Sequence, residues 1–334
     1  MSASASTAYL LVVHGSRDPR PGQAMERLAH FVRSQEAGLW MTGTRAKDRS
    51  DSRRSAPARL ASGDASLLLR RSTSLDGSKP GPETPVLGAS GLYRARISLP
   101  DTVNGPLVGT ACLETEALPL HRQIVEFSRR ACAAGAQRIR LVPLFLLAGV
   151  HVMDDIPAEV EQARQALPGV TLEVCPHLGS HPGIKGLLRQ KLQSTANKTP
   201  ILLAHGSRRP GGNDAICALA QALGGAAAFW AVDPSLESQV IHYMQTGVQR
   251  VAILPYFLFA GTTTDAITHL TEELAERFPK LGFHLLPPLG PSPELARLVI
   301  DLATGQVPTK AQQAPIPMQR VAFRHATHSS SMVS

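Results

Sequence analysis

A short apolar run that stops at a histidine occurs twice in this chain. Residues 9–17 read Tyr-Leu-Leu-Val-Val-His-Gly-Ser-Arg, ending the run at His14, and residues 201–208 read Ile-Leu-Leu-Ala-His-Gly-Ser-Arg, ending it at His205. Each copy passes into a Pro/Gly-containing turn and then into a helical pattern. Further blocks keep the same order: 134–139 matches 246–251, 143–149 (Pro-Leu-Phe-Leu-Leu-Ala-Gly) matches 255–261 (Pro-Tyr-Phe-Leu-Phe-Ala-Gly), and 176–179 matches 287–290. A unit used twice limits the possible folds more than any bulk property does.

Between these blocks short apolar runs alternate with helical periodicity. In the first half the pattern predicts strands at 8–13, 107–112, 138–147 and 170–175, with helices at 23–32, 119–134, 157–167 and 182–193. In the second half it predicts strands at 200–204, 226–232, 249–259 and 282–286, with helices at 212–223, 236–246, 265–277 and 293–303. Strands that are apolar throughout and alternate with helices imply α/β architecture: two similar domains, each a four-stranded parallel sheet covered by helices on both faces. The domains are expected at 8–196 and 199–304, and 334 residues suit two such units. With strand order 2-1-3-4, strands 1 and 3 are neighbours. His14 after strand 1 and His151 after strand 3 then overhang one crevice at the carboxyl edge, where ligands of such sheets bind.

Two segments fall outside the repeat. Residues 40–106 are rich in Ser, Arg, Gly, Pro and Asp, and read as a disordered insertion into the first half; 305–334 reads as a disordered tail. The insertion carries eleven Lys/Arg against six Asp/Glu between Trp40 and Val103, so five of the eight net positive charges sit there. The basic balance therefore says little about the folded halves, and a nucleic-acid partner is not expected, since aromatic interleaving and a binding motif are both missing. No apolar run approaches the roughly 20 residues of a membrane span. The N-terminal residues lack the basic end and separate apolar core of a signal peptide. Cys112, Cys132, Cys175 and Cys217 have no CxxC spacing and read as buried thiols in a reducing compartment. A cytoplasmic, non-membrane protein is the expectation; oligomeric state is not legible.

Two histidines at neighbouring strand ends are a common way to hold a divalent transition metal or to move a proton. Gly15 and Ser16 either simply make a tight strand-to-helix turn or let a substrate approach the backbone, beside helical N–H groups that suit an anion. Arg17 is a candidate for binding a carboxylate. Glu114, just past strand 2, lies on the same edge and is either a carboxylate partner or a surface side chain. Asp155, four residues after His151, is either the N-cap of the next helix, the commoner role, or a group that orients the imidazole. Asp154 reads as solvated. His177 and His181 follow strand 4 near the rim, but their counterparts Pro288 and Ser292 cannot ligate a metal.

The apolar strand ending in HGSR, the 145–159 run Phe-Leu-Leu-Ala-Gly149-Val-His151-Val-Met-Asp-Asp155-Ile-Pro-Ala-Glu, and Pro-x-Leu-Gly at 176–179 resemble the class II chelatases of the CbiX/SirB type. That resemblance implies the chelatase-like fold and insertion of Fe2+ or Co2+, as co-substrate, into sirohydrochlorin in sirohaem or cobalamin biosynthesis. No organic cofactor is implied. The family's active-site histidines fall on His14 and His151 as catalytic and metal-handling groups. Gly15, Ser16, Arg17, Glu114, Gly149 and Asp155 fall around the substrate. In the second half His205 is kept, but threonine stands at 262–264 where the second histidine would be, which implies one working site and one degenerate repeat. A non-catalytic tetrapyrrole or metal carrier is the alternative of another class. A histidine-dependent phosphoryl-transfer enzyme is disfavoured, because Val13 stands where such enzymes place an arginine.

Overall fold

The computed structural model describes residues 6–47 and 107–307. The expected insertion beyond Lys47 and the expected tail from residue 308 lie outside the described residues. The first half runs β1 (Ser6–Val13), α1 (Pro19–Lys47), β2 (Val108–Cys112), α2 (Leu120–Ala133), β3 (Ala136–Pro143), α3 (Ile156–Gln165), β4 (Thr171–Val174) and α4 (Ile184–Leu192). The second half runs β5 (Thr199–Ala204), α5 (Asp214–Ala222), β6 (Ala226–Phe229), α6 (Leu236–Gln245), β7 (Arg250–Pro255), α7 (Thr262–Arg277), β8 (Gly282–Leu285) and α8 (Pro293–Thr304).

Both sheets are wholly parallel and share one order, β2-β1-β3-β4 and β6-β5-β7-β8. The expected 2-1-3-4 order therefore holds in each half. Tyr9 pairs with Val108 and Leu10 with Leu141, which sets β1 between β2 and β3. Leu10 and Leu11 are both fully buried although they point to opposite faces. A strand can be apolar at successive positions only if helices cover both faces.

The outer face of the first sheet packs on α2 and α3, with Leu120, Ile124, Phe127, Ile156 and Val160 in one cluster. The outer face of the second packs on α6 and α7 through Leu236, Val240, Ile267 and Leu274. The inner faces share one core: Leu28 and Val32 of α1, Leu188 of α4, Ile216 of α5 and Leu295 and Val299 of α8 all belong to it. Polar bonds also cross between the halves. Gln35 Nε2 donates to Pro293 O (2.8 Å), Arg140 Nη1 to Ala303 O (2.6 Å) and Lys191 Nζ to Pro288 O (2.9 Å). The two repeats are joined by a continuous apolar layer, so they are not two beads on a linker.

Three expectations need correction. Helix α1 starts at Pro19, not Gln23, and runs to Lys47, past the expected break near Trp40. Asp18 is its cap, since Asp18 Oδ1 accepts the Arg20 N–H at 2.9 Å. Pro19 needs no N–H in the first turn, so the Asp-Pro pair is a helix start and not a loop. Strand β3 ends at Pro143 instead of 147, and β6 and β7 likewise end at Phe229 and Pro255 instead of 232 and 259. Beyond those points the neighbouring strand has ended; Leu144 N to Val12 O (2.8 Å) is the last rung between β1 and β3. Finally, the helix expected from 157 begins earlier. Residues His151–Asp155 form a π-helical turn that runs straight into α3.

Candidate metal centre

The site begins with backbone pairing. After β1 and β2 end, their ladder continues through Leu113 N to Val13 O and Glu114 N to His14 O, both 2.8 Å. That register sets Glu114 beside His14. The turn after His14 leaves the sheet at Gly15, which has φ +100°, and a Cβ there would lie 2.2 Å from Glu114 O. Only glycine lets the two strand ends approach so closely. Ser16 Oγ then accepts the Asp18 N–H at 3.1 Å, closing the five-residue loop into α1.

His151 arrives from the neighbouring strand. Residues 144–149 carry the chain over the sheet edge, and Gly149 O accepts the N–H groups of Val152 and Met153, both at 3.1 Å, to start the π turn. The His14 and His151 rings stand 4.7 Å apart, centroid to centroid, at 87° to each other, with the Phe145 ring beside both. His14 Nδ1 lies 3.9 Å from Glu114 Oε2. One ligand atom each from His14, Glu114 and His151 lie within 4.8 Å of one another. An ion about 2.1 Å from each of three ligands holds them roughly 3 to 4 Å apart. The His14–Glu114 separation of 3.9 Å already falls in that range. Two imidazoles and one carboxylate suit first-row divalent metals.

Asp155 is the fourth member, one step removed. Its Oδ2 lies 2.7 Å from His151 Nδ1, and it makes no N-cap bond to α3. The commoner expectation for Asp155, the N-cap, is therefore incorrect, because the helix has already begun at His151 and leaves no capping position there. With Nδ1 held, His151 offers Nε2 to an ion. A cavity of about 330 Å³ adjoins, lined by Glu114, Asp155 and Glu159 among apolar Leu113, Pro119, Leu120 and Ala158. Glu159 itself is engaged by His121, through both its backbone N–H and Nδ1 (2.6 and 2.9 Å). Cys112, at the end of β2, is not a thiolate donor: burial first, then Glu116 and Glu26, push its thiol up to about 11.

Arg17 is exposed, and its side chain makes no hydrogen bond or ion pair among the described residues. Asp154 is exposed as expected. His181 does not line the rim. It is buried between the halves, its Nδ1 accepting the Gly183 N–H at 2.9 Å and its Nε2 3.6 Å from Asp301 Oδ2 on α8. The convergence of Glu114 with both histidines was only half legible. The signal was positional, since Glu114 stands two residues past β2 and His14 one past β1.

The second half repeats the scaffold without the ligands. Ala231 N donates to His205 O at 2.9 Å, so Ala231 occupies the place that Glu114 holds beside His14. The segment matching the His151 turn has become a helix start, in which Thr264 Oγ1 accepts the Gly261 N–H (2.8 Å) and donates to Gly261 O (2.7 Å). Two of the three ligand positions are therefore lost.

The CbiX family model matches residues 101–195 and 199–305, more than half of the chain and both halves of the repeat. The chain belongs to the CbiX family. The chain is 25% identical over 208 residues to the sirohydrochlorin cobaltochelatase of Priestia megaterium, covering 57% of this chain and 68% of the relative. It is 29% identical over 187 residues to the sirohydrochlorin ferrochelatase of the same organism, covering 50% and 70%. Among solved structures, SirB from Bacillus subtilis with Fe3+ superposes with a TM-score of 0.55 at 18% identity, covering 92% of this chain and 98% of that one. The sirohydrochlorin chelatase SirB of subspecies spizizenii in complex with cobalt gives 0.54 at 17% identity over the same shares. These superpositions establish the chelatase-like fold for this CbiX-family chain.

Proposed function

We propose that this protein is a sirohydrochlorin chelatase, a lyase that inserts Fe2+ or Co2+ into sirohydrochlorin on the route to sirohaem or cobalamin. The observation that carries the reading is the His14–Glu114–His151 trio at the sheet edge of a CbiX-family chain. The family relatives named as sirohydrochlorin cobaltochelatase and ferrochelatase support the substrate. The half at 8–196 carries the working site; the half at 199–304 carries a degenerate one.

Insertion exchanges two pyrrole N–H protons for one divalent metal, which is a substrate and not a resident cofactor. The trio first holds the ion with two nitrogens and one carboxylate oxygen. As ring nitrogens replace these ligands, the freed imidazoles accept the protons that leave, the general-base role that histidine commonly fills. His151 is the imidazole held by Asp155, so its ring keeps its aim while its outer nitrogen changes partners. The half-exposed trio leaves room above for a macrocycle, and exposed Val150 and Met153 flank His151 with apolar surface. Arg17, with no partner among the described residues, is available to a carboxylate of the substrate. Gly15 and Ser16 line the close approach below, and Gly149 leaves open space at the start of the π turn.

No helix among the described residues is long and apolar enough to cross a membrane. The four free cysteines suit a reducing cytoplasm, where Fe2+ also persists. The test is anaerobic incubation of the purified protein with sirohydrochlorin and Fe2+ or Co2+. The absorbance bands should shift to those of the metallated ring at a rate that scales with protein. A carrier would bind ring or metal without turnover.

A further inference from the structure

The β1–α1 loop that carries His14 is tied to the second half of the chain. Arg20, in the first turn of α1, holds two carboxylates at once. Its Nε donates to Asp18 Oδ1 and Oδ2 (3.1 and 3.0 Å), and its Nη1 donates to Asp265 Oδ1 (3.0 Å), with Nη2 shared between Asp18 and Asp265. Asp265 lies in the first turn of α7, 245 residues away in sequence. The Cα of Gly261, at the start of the same helix, faces the loop directly: a Cβ there would lie 3.4 Å from Pro21 Cγ and 3.7 Å from Asp18 Oδ2. The segment of the second repeat that has lost its histidine thus packs against the loop that presents the histidine of the first.

The arrangement has no mirror image. By the repeat register that matches His14 with His205, Asp18 corresponds to Arg209 and Arg20 to Gly211. By the register that matches Gly149 with Gly261, Asp265 corresponds to Met153, which is 60% exposed. The second-half loop is instead closed on itself, by Ser207 N donating to Asn213 Oδ1 (2.8 Å) and Asn213 Nδ2 donating to Ser207 O (2.9 Å). The clasp therefore exists only for the half that retains all three metal-ligating groups. A pair that served only to glue two repeats would have no reason to follow that asymmetry.

We infer that Arg20 and Asp265 are positioning residues, through which the degenerate half holds the His14 loop at ligating distance from Glu114 and His151. The inference rests on the chelatase reading of that site. The loop from His14 to Asp18 is anchored at one end by the β1–β2 ladder and at the other by Asp18. Fixing Asp18 from two sides, by its own helix and by Arg20 held on α7, removes the freedom of the free end. Exposed single ion pairs contribute little to stability, whereas a planar guanidinium forked between two carboxylates fixes geometry. The consequence falls on the spacing of ligands and not on the fold, since the core between the halves is apolar and continuous.

The test measures Co2+ binding without tetrapyrrole, by titration and by the visible spectrum of the bound ion, beside steady-state turnover. Asp265→Asn and Arg20→Gln should each weaken Co2+ binding about tenfold, the size typical of lost support behind a ligand. They should lower kcat while leaving the KM for sirohydrochlorin nearly unchanged. Arg20→Lys, which keeps the charge but not the fork, should fall between, and the double variant should be no worse than either single one. Arg277→Gln, which breaks the comparable Arg277–Glu237 pair inside the second half, should change neither reading. Unaltered Co2+ affinity and spectrum in Asp265→Asn would overturn the inference, as would an equal loss in Arg277→Gln or loss of cooperative melting in Asp265→Asn. Failure of the chelatase reading looks different: wild type and His14→Ala would bind Co2+ alike.

Discussion

Asp155 Oδ2 lies 2.7 Å from His151 Nδ1, within the π-helical turn that starts α3. The wider turn stacks residues four apart, so the carboxylate meets the ring edge and the other ring nitrogen faces the crevice. Such a bond sets both the tautomer and the aim of a ligating imidazole. Asp155→Asn should therefore weaken Co2+ binding and turnover by about tenfold, while the thermal transition stays within a degree or two. Cobalt titration and a melting curve on the same sample check this. Wild-type affinity in the variant would return Asp155 to a surface role.

The trio itself should respond more strongly. His14→Ala and His151→Ala should each lower sirohydrochlorin metallation by roughly a hundredfold or more, in line with loss of a proton-transfer group. Glu114→Gln keeps the shape and removes the charge, and should weaken metal binding first and turnover second. None of the three supports the core, since His14 and Glu114 are exposed and His151 is half-buried. Each variant should be folded by circular dichroism. Full activity in His151→Ala would remove the mechanism.

Much of this site was legible because strand order and strand ends are encoded locally. Apolar runs with helices between them dictate parallel sheets, and parallel sheets place His14 and His151 on one edge. Glu114 was harder to read because its proximity depends on two extra rungs of β1–β2 pairing. Asp155 was misread because a π turn and a loop share the same composition before Pro157. The Arg20–Asp265 pair was not legible, since no periodicity links positions in different repeats. The Asp18-Pro19 start of α1 was legible in principle, being an N-cap followed by proline, but the second proline at Pro21 suggested a turn.

Stability should fall on mild acidification. Burial lowers the pKa of His181, partly opposed by the charge of Asp301, and burial alone lowers that of His177. The folded state thus prefers both imidazoles neutral, while the unfolded chain protonates them near 6.5. Their contribution is complete above the unfolded value and is lost as pH falls below it through the lower folded values. Among the described groups, Asp301 and the Gly183 N–H face His181, at the joint between the halves. Melting temperature should drop between pH 7 and pH 5, and His181→Asn should flatten that part of the curve. An unchanged slope in the variant would place the acid sensitivity elsewhere.

The two histidines that follow Gly-Ser loops should differ sharply in importance. His14 has Glu114 on one side and His151 on the other; His205 has Ala231 and the threonine-capped start of α7. One imidazole without a second ligand close by binds a divalent ion weakly, and the backbone around it cannot make good the loss. His205→Ala should therefore keep metallation within about twofold of wild type, a range in which exposed side chains usually fall. Titration should give one Co2+ per chain in wild type and in His205→Ala, and none in His14→Ala at the same concentration. Were His205→Ala to match His14→Ala in lost turnover, the working site would have to span both halves, and the second repeat could no longer be read as degenerate. Were Co2+ to bind twice in wild type and once in His205→Ala, the loss of Glu114 and His151 equivalents would not have disabled that crevice.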